Sequence, residues 1–201
     1  MANPWHDVDP GDKVPDEVQC VVEIPRGGRL KYELDKKSGL LRLDRVLYSA
    51  VLYPANYGFV PRSYWEDGDP LDILILGREP AVPLCIMTAR PIGVMQMIDQ
   101  EEEDDKIIAV HVHDPTVAHF QRIEDLPPHT LHELQRFFED YKVLEHKDVR
   151  IEQFLGHEEG QETLMKGLEL YQKYFCKGMD AEAEEALHHY QKYFQEPEEK
   201  L

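Results

Sequence analysis

Short runs of β-branched and aliphatic residues dominate the first half of the chain and constrain its fold more than any other feature. The clearest run, VQCVVEI at 18–24, is ended by Pro25 and the pair Gly27-Gly28. A run of this length supports one strand, and runs separated by turn residues at nearly regular intervals are typical of sandwiches and barrels. The predicted strands are 18–24, 30–34, 40–43, 73–76, 84–89, 92–98 and 107–113. They predict a small, mostly antiparallel barrel, in which 30–34 and 40–43 form a hairpin.

Helices are predicted after these strands. Thr130 and Glu133 have the spacing of a capping box, and Pro127-Pro128 precedes them. Apolar residues then recur every three or four positions in three segments, as expected of helices that bury one face. The three apolar stripes are Leu131, Leu134, Phe138 and Tyr141; Leu164, Leu168, Tyr171 and Phe175; and Ala183, Ala186, Leu187, Tyr190 and Phe194. Strands followed by helices predict an α+β fold.

The chain is strongly acidic, with 40 Asp and Glu against 22 Lys and Arg and a formal net charge of −18. A surface of this charge repels the phosphates of nucleic acids and anionic membranes. We therefore expect neither a nucleic acid nor a membrane as a partner.

The cellular setting follows from what the sequence lacks. No apolar run approaches the roughly 18 residues that a membrane span needs, and the first residues, MANPWHD, show no signal peptide. Cys20, Cys85 and Cys176 are odd in number and far apart, which is typical of a reducing compartment. We expect a cytoplasmic protein.

Three carboxylates lie within the hexapeptide DGDPLD at 67–72. Gly68 and Pro70 disfavour a helix, so a turn leading into the strand 73–76 can direct Asp67, Asp69 and Asp72 towards one point. Magnesium prefers carboxylate oxygens and binds through a few of them together with substrate phosphate. An acidic surface turn would look the same in so acidic a chain, and the hexapeptide alone leaves both interpretations open.

A second acidic cluster occupies 99–105, DQEEEDD. Runs of like charge usually form solvated loops. Here the flanking segments 92–98 and 107–112 are strand-like and would hold both ends of the loop on the barrel.

A third group of charges surrounds the start of the hairpin. Glu23 lies at the end of the first strand, and Lys31 and Glu33 alternate onto one face of the next strand. Taken alone, these residues are consistent with a plain cross-strand salt bridge, which is the commoner case.

Together these motifs resemble the family I soluble inorganic pyrophosphatases over residues 15–175. The acidic signature of that family is intact as DGDPLDI at 67–73, and its Glu-Ile-Pro…Lys-Tyr-Glu element is present at 23–33. The segments YPANYG at 53–58 and DYK at 140–142 also match. The motifs agree in both order and spacing, which is far more specific than a single motif.

The resemblance implies roles for individual residues. Asp69 matches the carboxylate that takes the proton from the attacking water. Asp67, Asp72 and Asp104 match the principal metal ligands of the family, and Asp99 matches a residue that binds a further ion. Glu23 and Glu33 match acids that hold metal-bound waters. The phosphate-binding set is matched by Lys31, Arg45, Tyr57, Lys106, Tyr141 and Lys142.

The resemblance also implies a fold, a reaction and an assembly. The fold would be a five-stranded, OB-like barrel flanked by helices, and the reaction Mg²⁺-dependent hydrolysis of pyrophosphate to two phosphates by a homohexamer. Residues 1–176 would form the catalytic domain. The resemblance does not extend to 177–201, where the third apolar stripe predicts a helical C-terminal extension that serves stability or assembly. One position departs from the family, since Glu102 replaces a usual glycine, and we expect the acidic loop to bend differently there.

Two other functions stay open on the sequence alone. One is a metal-dependent phosphohydrolase that acts on nucleotides or phosphate esters, and the other is a non-catalytic acidic barrel that binds divalent cations or a protein. A GxxxxGK[ST] phosphate loop is absent from the sequence, which argues against a nucleoside triphosphatase of that class.

Overall fold

The structure, a computed structural model, describes residues 3–176, which form nine strands and three α-helices. The strands are β1 Val18–Ile24, β2 Leu30–Asp35, β3 Leu40–Val46, β4 Asn56–Phe59, β5 Asp72–Leu76, β6 Ile86–Asp99, β7 Glu102–Glu103, β8 Lys106–His111 and β9 Val149–Leu155. The helices are α1 Pro4–Asp7, α2 Pro128–Asp140 and α3 His157–Tyr171.

Five strands close into a ring in the order β1-β4-β5-β8-β6, and β6 pairs back onto β1. All pairs in the ring are antiparallel except β5 with β8, which are parallel. The prediction of a small, mostly antiparallel five-stranded barrel is confirmed. Closure removes the open edges that a five-stranded sheet would otherwise expose.

The long strand β6 makes closure possible. The segments 84–89 and 92–98, which the sequence predicted as two strands, belong to this one 14-residue strand. A bulge between Pro91 and Gly93 bends it, and along its length residues 86–89 pair with β1, 89–95 with β8 and 94–99 with β9. A Cβ at Gly93 would lie 2.6 Å from the carbonyl oxygen of Leu155, so glycine is needed where β9 packs closely against β6.

Three strands were not predicted: β4, β9 and the two-residue β7. The sequence of β4, NYGF, is short and contains Gly58, whose missing side chain lets the strand approach β1: a Cβ there would lie 1.9 Å from the oxygen of Val21. Strand β9 carries charges at alternate positions and pairs with β6 outside the ring. The hairpin β2–β3 forms as predicted and makes its own two-stranded sheet.

Successive residues of the barrel strands pack alternately into two apolar clusters. Leu74 of β5 and Ile108 of β8 pack with Phe138 of α2, whereas Ile73 and Ile107, their neighbours in sequence, pack in the cluster under α3. Successive strand residues point to opposite faces, so one run of aliphatic residues supplies both clusters. The helices therefore cover the barrel on two sides.

Helix α2 begins earlier than its predicted capping box. Pro128 is the first helical residue and Pro127 is the cap, so Thr130 lies inside the first turn, where its N–H donates to the oxygen of Pro127 at 2.9 Å. The capping-box prediction was wrong because proline, whose φ already suits a helix and whose missing N–H costs nothing there, starts the helix instead.

The other predicted helices are only partly described. Leu164, Leu168 and Tyr171 are buried in α3 as predicted, and a π-helical turn, Gln172–Cys176, follows it. The third apolar stripe, and the whole extension 177–201, lie outside the described residues. Between residues 3 and 176, no helix has the length and apolar character needed to cross a bilayer.

The acidic loop is a tight turn between β6 and β7. Gln100 has φ 51° and Glu101 has φ 80°, which is the pattern of a type I′ hairpin turn, while Glu102 is extended and pairs with Asp99. The positive φ thus falls on the two residues before Glu102. A non-glycine residue in this conformation is strained by contact between its Cβ and the backbone.

Replacing Glu101 with glycine should therefore stabilise the protein. We expect Glu101→Gly to raise the free energy of unfolding by about 0.5–1 kcal/mol, because glycine adopts this conformation without the Cβ contact. Chemical denaturation of the metal-free protein measures the change. Glu103→Gly is the matched control and should destabilise, since Glu103 lies in the extended strand β7. Equal effects of the two substitutions would contradict this explanation.

Candidate active site

A cavity of about 660 Å³ opens at one end of the barrel, between the hairpin β2–β3, the turn 67–72, the acidic loop and the C-terminal end of α2. All the predicted site residues except Arg45 line it: Glu23, Lys31, Glu33, Tyr57, Asp67, Asp69, Asp72, Asp99, Asp104, Lys106, Tyr141 and Lys142. Residues from five separate parts of the sequence thus meet in one cavity.

The carboxylates of the turn 67–72 differ in how far they are exposed to solvent. The N–H of Asp69 donates to Oδ1 of Asp67 at 3.0 Å, and Gly68 supplies the positive φ, 83°, that the turn requires. Asp72 begins β5 and is largely buried, whereas 55% of the Asp69 side chain is exposed at the mouth of the cavity. The turn therefore separates a buried acid from an accessible one.

Lys106 occupies the floor of the cavity. It begins β8, directly beside Asp72 in the parallel pair β5–β8, and is 1% exposed. Its Nζ donates to Oδ2 of Asp72 and to Oδ1 of Asp104, both at 2.6 Å, and the hydroxyl of Tyr57 also donates to Asp72. Burial opposes the charge of Lys106, but Asp104 and Asp72 outweigh it and raise the pKa of the ammonium group. Lys106 is therefore a permanent buried cation.

The acids around Lys106 repel one another. Burial, reinforced by Asp104 and Asp72, raises the pKa of Asp67 to about 7. Burial and then Asp72 raise the pKa of Glu23 to about 8, against the opposing effect of the Leu34 N–H, which donates to its carboxylate at 2.7 Å. Carboxyl groups that raise one another's pKa in this way would be stabilised by a cation between them.

These donors fit a hard divalent cation. Carboxylate oxygens are the ligands that Mg²⁺ prefers, and Oδ1 of Asp99 is buried without a hydrogen-bond partner among the described residues. In the part of the chain that the structure describes, no three acidic, histidine or cysteine side chains are already grouped as a metal site. Lys106 instead holds Asp72 and Asp104, and Lys142 holds Asp99.

A second wall of the cavity presents hydrogen-bond donors. Lys142 contacts Asp99, and the hydroxyl of Tyr141 lies 3.4 Å from the same carboxylate. On the hairpin, Nζ of Lys31 lies 2.6 Å from Oε1 of Glu33. Each of these donors is thus paired with an acid at the cavity surface.

Arg45 lies outside the cavity lining. It pairs with Lys31 in the hairpin register, but its Nε donates to Glu145 at 2.9 Å and its Nη1 contacts Asp44. The structure therefore does not bring Arg45 together with the other predicted residues, and its role stays a prediction. Arg42, three residues earlier on β3, lines the cavity instead.

Tyr53 and Lys36 are among the lining residues that were not predicted from the sequence as site residues. Tyr53 belongs to the quoted segment YPANYG, so a signal was present; its ring packs on Tyr57 with the centroids 5.4 Å apart. Lys36 had no comparable signal, because it follows β2 in an ordinary turn and only the fold brings it to the turn 67–72.

Comparison with known proteins agrees with this geometry. The family described as inorganic pyrophosphatase matches residues 20–172. Soluble inorganic pyrophosphatase 2 of Chlamydomonas reinhardtii is 56% identical over 174 residues, which are 87% of this chain and 91% of that protein. Soluble inorganic pyrophosphatase 1 of Arabidopsis thaliana is 53% identical over 173 residues, 86% and 82% of the two chains.

A solved structure is similar over the same region. The inorganic pyrophosphatase from Thermus thermophilus superposes with a TM-score of 0.82 at 38% identity, covering 85% of this chain and 99% of that one. The matched segments include the signature at 67–73 and every residue that lines the cavity. The chain therefore belongs to the family I inorganic pyrophosphatases.

Proposed function

We propose that this protein hydrolyses inorganic pyrophosphate to two phosphates with the help of Mg²⁺. The observation that carries the proposal is a single cavity in which buried, mutually repelling carboxylates lie beside lysines and tyrosines. Acids alone would repel pyrophosphate, whereas acids that hold cations would attract it. The names of the relatives support the choice of substrate.

The acids nearest the cavity floor would hold the metal ions. Asp67, Asp72 and Asp104 are the proposed principal ligands, and Asp99 would bind a further ion. Glu23 and Glu33 would hold the waters bound to the ions. When bound, Mg²⁺ supplies electrostatic stabilisation of the phosphoryl oxygens and acidifies water.

The remaining side chains bind substrate and move the proton. Lys31, Tyr57, Lys106, Tyr141 and Lys142 are donors to the phosphoryl oxygens, and charge-assisted hydrogen bonds of this kind are the stronger ones in proteins. Arg45 completes the proposed set. Asp69 is the proposed general base, since its half-exposed carboxylate lies at the mouth of the cavity, where it can accept a proton from water.

A phosphate-release assay tests this function. The purified chain with Mg²⁺ should release phosphate rapidly from pyrophosphate, and EDTA should stop the reaction because the acids and the substrate then repel each other. Adding Mg²⁺ in excess of EDTA should restore the rate, which separates metal loss from unfolding. Faster release from ATP or a phosphate ester would favour the broader phosphohydrolase, and metal binding without turnover would favour the non-catalytic barrel.

The localisation, oligomeric state and domain bounds of the enzyme are proposed together with its function. We propose a cytoplasmic homohexamer whose catalytic domain is 1–176. Exposed apolar side chains on and after the hairpin, Leu40, Leu43, Val46, Tyr48 and Leu52, support self-association, since large apolar patches usually mark interfaces.

A further inference from the structure

Lys36 contacts the proposed general base, although it lies outside the segments that carry the resemblance at 23–33, 53–58, 67–73 and 140–142. It follows β2, and its Nζ contacts Oδ1 of Asp69 and donates to the oxygen of Gly68 at 3.3 Å. Lys36 and Asp69 are 33 residues apart in sequence. One ammonium group thus binds both the side chain of Asp69 and the backbone of the turn that presents it.

The N-terminal segment contacts both the side chain and the backbone of Lys36. The ring of Trp5, in α1, lies 5.5 Å from Nζ of Lys36, which is the range of a cation–π contact. The side-chain amide of Asn3 donates to the main-chain oxygen of Lys36 at 2.9 Å. Trp5 is itself fully buried and donates from its indole nitrogen to the oxygen of Ser63 at 2.7 Å. Lys36 is therefore fixed by a buried part of the fold, and 17% of its side chain is exposed.

We propose that Lys36 is a positioning residue for Asp69, and that the N-terminal segment 3–8 anchors it for this role. The inference rests on the proposed function, in which Asp69 accepts the proton.

A physical need for such a residue follows from the exposure of Asp69. A half-exposed aspartate on a turn can change rotamer freely, and proton transfer requires its oxygen within about 3 Å of the attacking water. Binding Oδ1 to a fixed ammonium group holds the carboxylate in one orientation and leaves Oδ2 to accept the proton. Misplacement of a catalytic group by about 1 Å can cost on the order of 100-fold in rate.

Kinetics of Lys36→Met test the proposal, because methionine keeps the length of the side chain and removes its charge. We expect kcat for pyrophosphate to fall about 10- to 100-fold while KM changes less than about threefold, as for an interaction that acts on the chemical step. Lys36→Arg should recover most of the rate. If Lys36→Met does not fold, Lys36→Gln, which can still donate to the oxygen of Gly68, replaces it.

Lys166→Met is the matched control. Lys166 also pairs with a carboxylate, Glu66 at 2.8 Å, and lies over a tryptophan ring, Trp65 at 4.5 Å, but it lies outside the cavity. Its kinetics should equal those of the wild type. A general effect of losing a lysine–tryptophan contact would lower both rates.

The combination with Asp69→Asn separates positioning from other roles. If Lys36 acts through Asp69, Lys36→Met should lower kcat by less than about twofold in the Asp69→Asn background, because effects on one functional unit are not additive. A full additional loss, a raised KM with normal kcat, or an increase in kcat would each overturn the inference. Inactive wild-type protein would refute the proposed function itself, whereas active wild type with unchanged Lys36→Met kinetics would refute this inference alone.

Discussion

Asp69→Asn should fold and bind divalent cations nearly as the wild type does, yet lose about 10²–10⁴-fold in kcat for pyrophosphate. The amide has the shape of the carboxylate and can still accept a hydrogen bond from Lys36, but it cannot accept a proton at neutral pH. The proposed metal ligands Asp67, Asp72 and Asp104 are untouched, so the metal site should persist. Steady-state phosphate release gives kcat, and titration calorimetry with Mg²⁺ gives the affinity.

Asp9→Asn is a suitable control for the loss of a negative charge. Asp9 is exposed to a similar extent, 62% of its side chain, and is likewise paired with a cation, Arg62 at 3.0 Å. It lies outside the cavity, so this variant should keep wild-type kinetics. Turnover of Asp69→Asn within a few-fold of the wild type would remove Asp69 from the mechanism.

Of the substitutions proposed for stability measurements, Lys106→Met should cause the largest fall in the free energy of unfolding. Methionine fills much of the same space, but Asp72 and Asp104 then lose the charge that compensates them in a buried site. Breaking a buried ion pair by removing one partner costs about 3–5 kcal/mol. For a chain of this size that corresponds to a fall in Tm of about 6–20 °C. Urea unfolding of the metal-free protein measures the difference from the wild type.

The loss in Lys106→Met should depend on pH in a defined direction. Burial already raises the pKa of Asp72, Lys106 opposes that rise, and removing Lys106 raises this pKa further. A carboxyl group whose pKa is higher in the folded than in the unfolded state destabilises the fold as pH rises through the folded pKa. The destabilisation should therefore be smaller at pH 5 than at pH 8.

Lys13→Met supplies the control for the stability experiment. Lys13 forms an exposed pair with Glu17 at 3.0 Å, and such pairs contribute about 0–1 kcal/mol. Its removal should change the unfolding free energy little at either pH. A loss below about 1 kcal/mol for Lys106→Met, or a loss that grows towards acid pH, would contradict the buried-cation explanation.

The sequence by itself determined the local elements and most of the cavity residues. Strand β1 and the hairpin β2–β3 are long and clearly bounded by turn residues. Their positions therefore follow from the runs of apolar and β-branched residues and from the Gly and Pro residues between them. The signature 67–73 identifies its own acids because a turn with three carboxylates is a local arrangement.

Only the tertiary structure decided which distant segments meet. The bulge in β6 turns two apparent strands into one that closes the ring, and β4 forms because Gly58 lets it approach β1. Lys36 reaches Asp69, and Arg45 turns to Glu145 outside the cavity, through pairings of residues 33 and 100 positions apart. The periodicity of apolar residues and the identity of turn residues report only on structure within a few positions in sequence. These contacts depend instead on the strand register and the closure of the whole barrel.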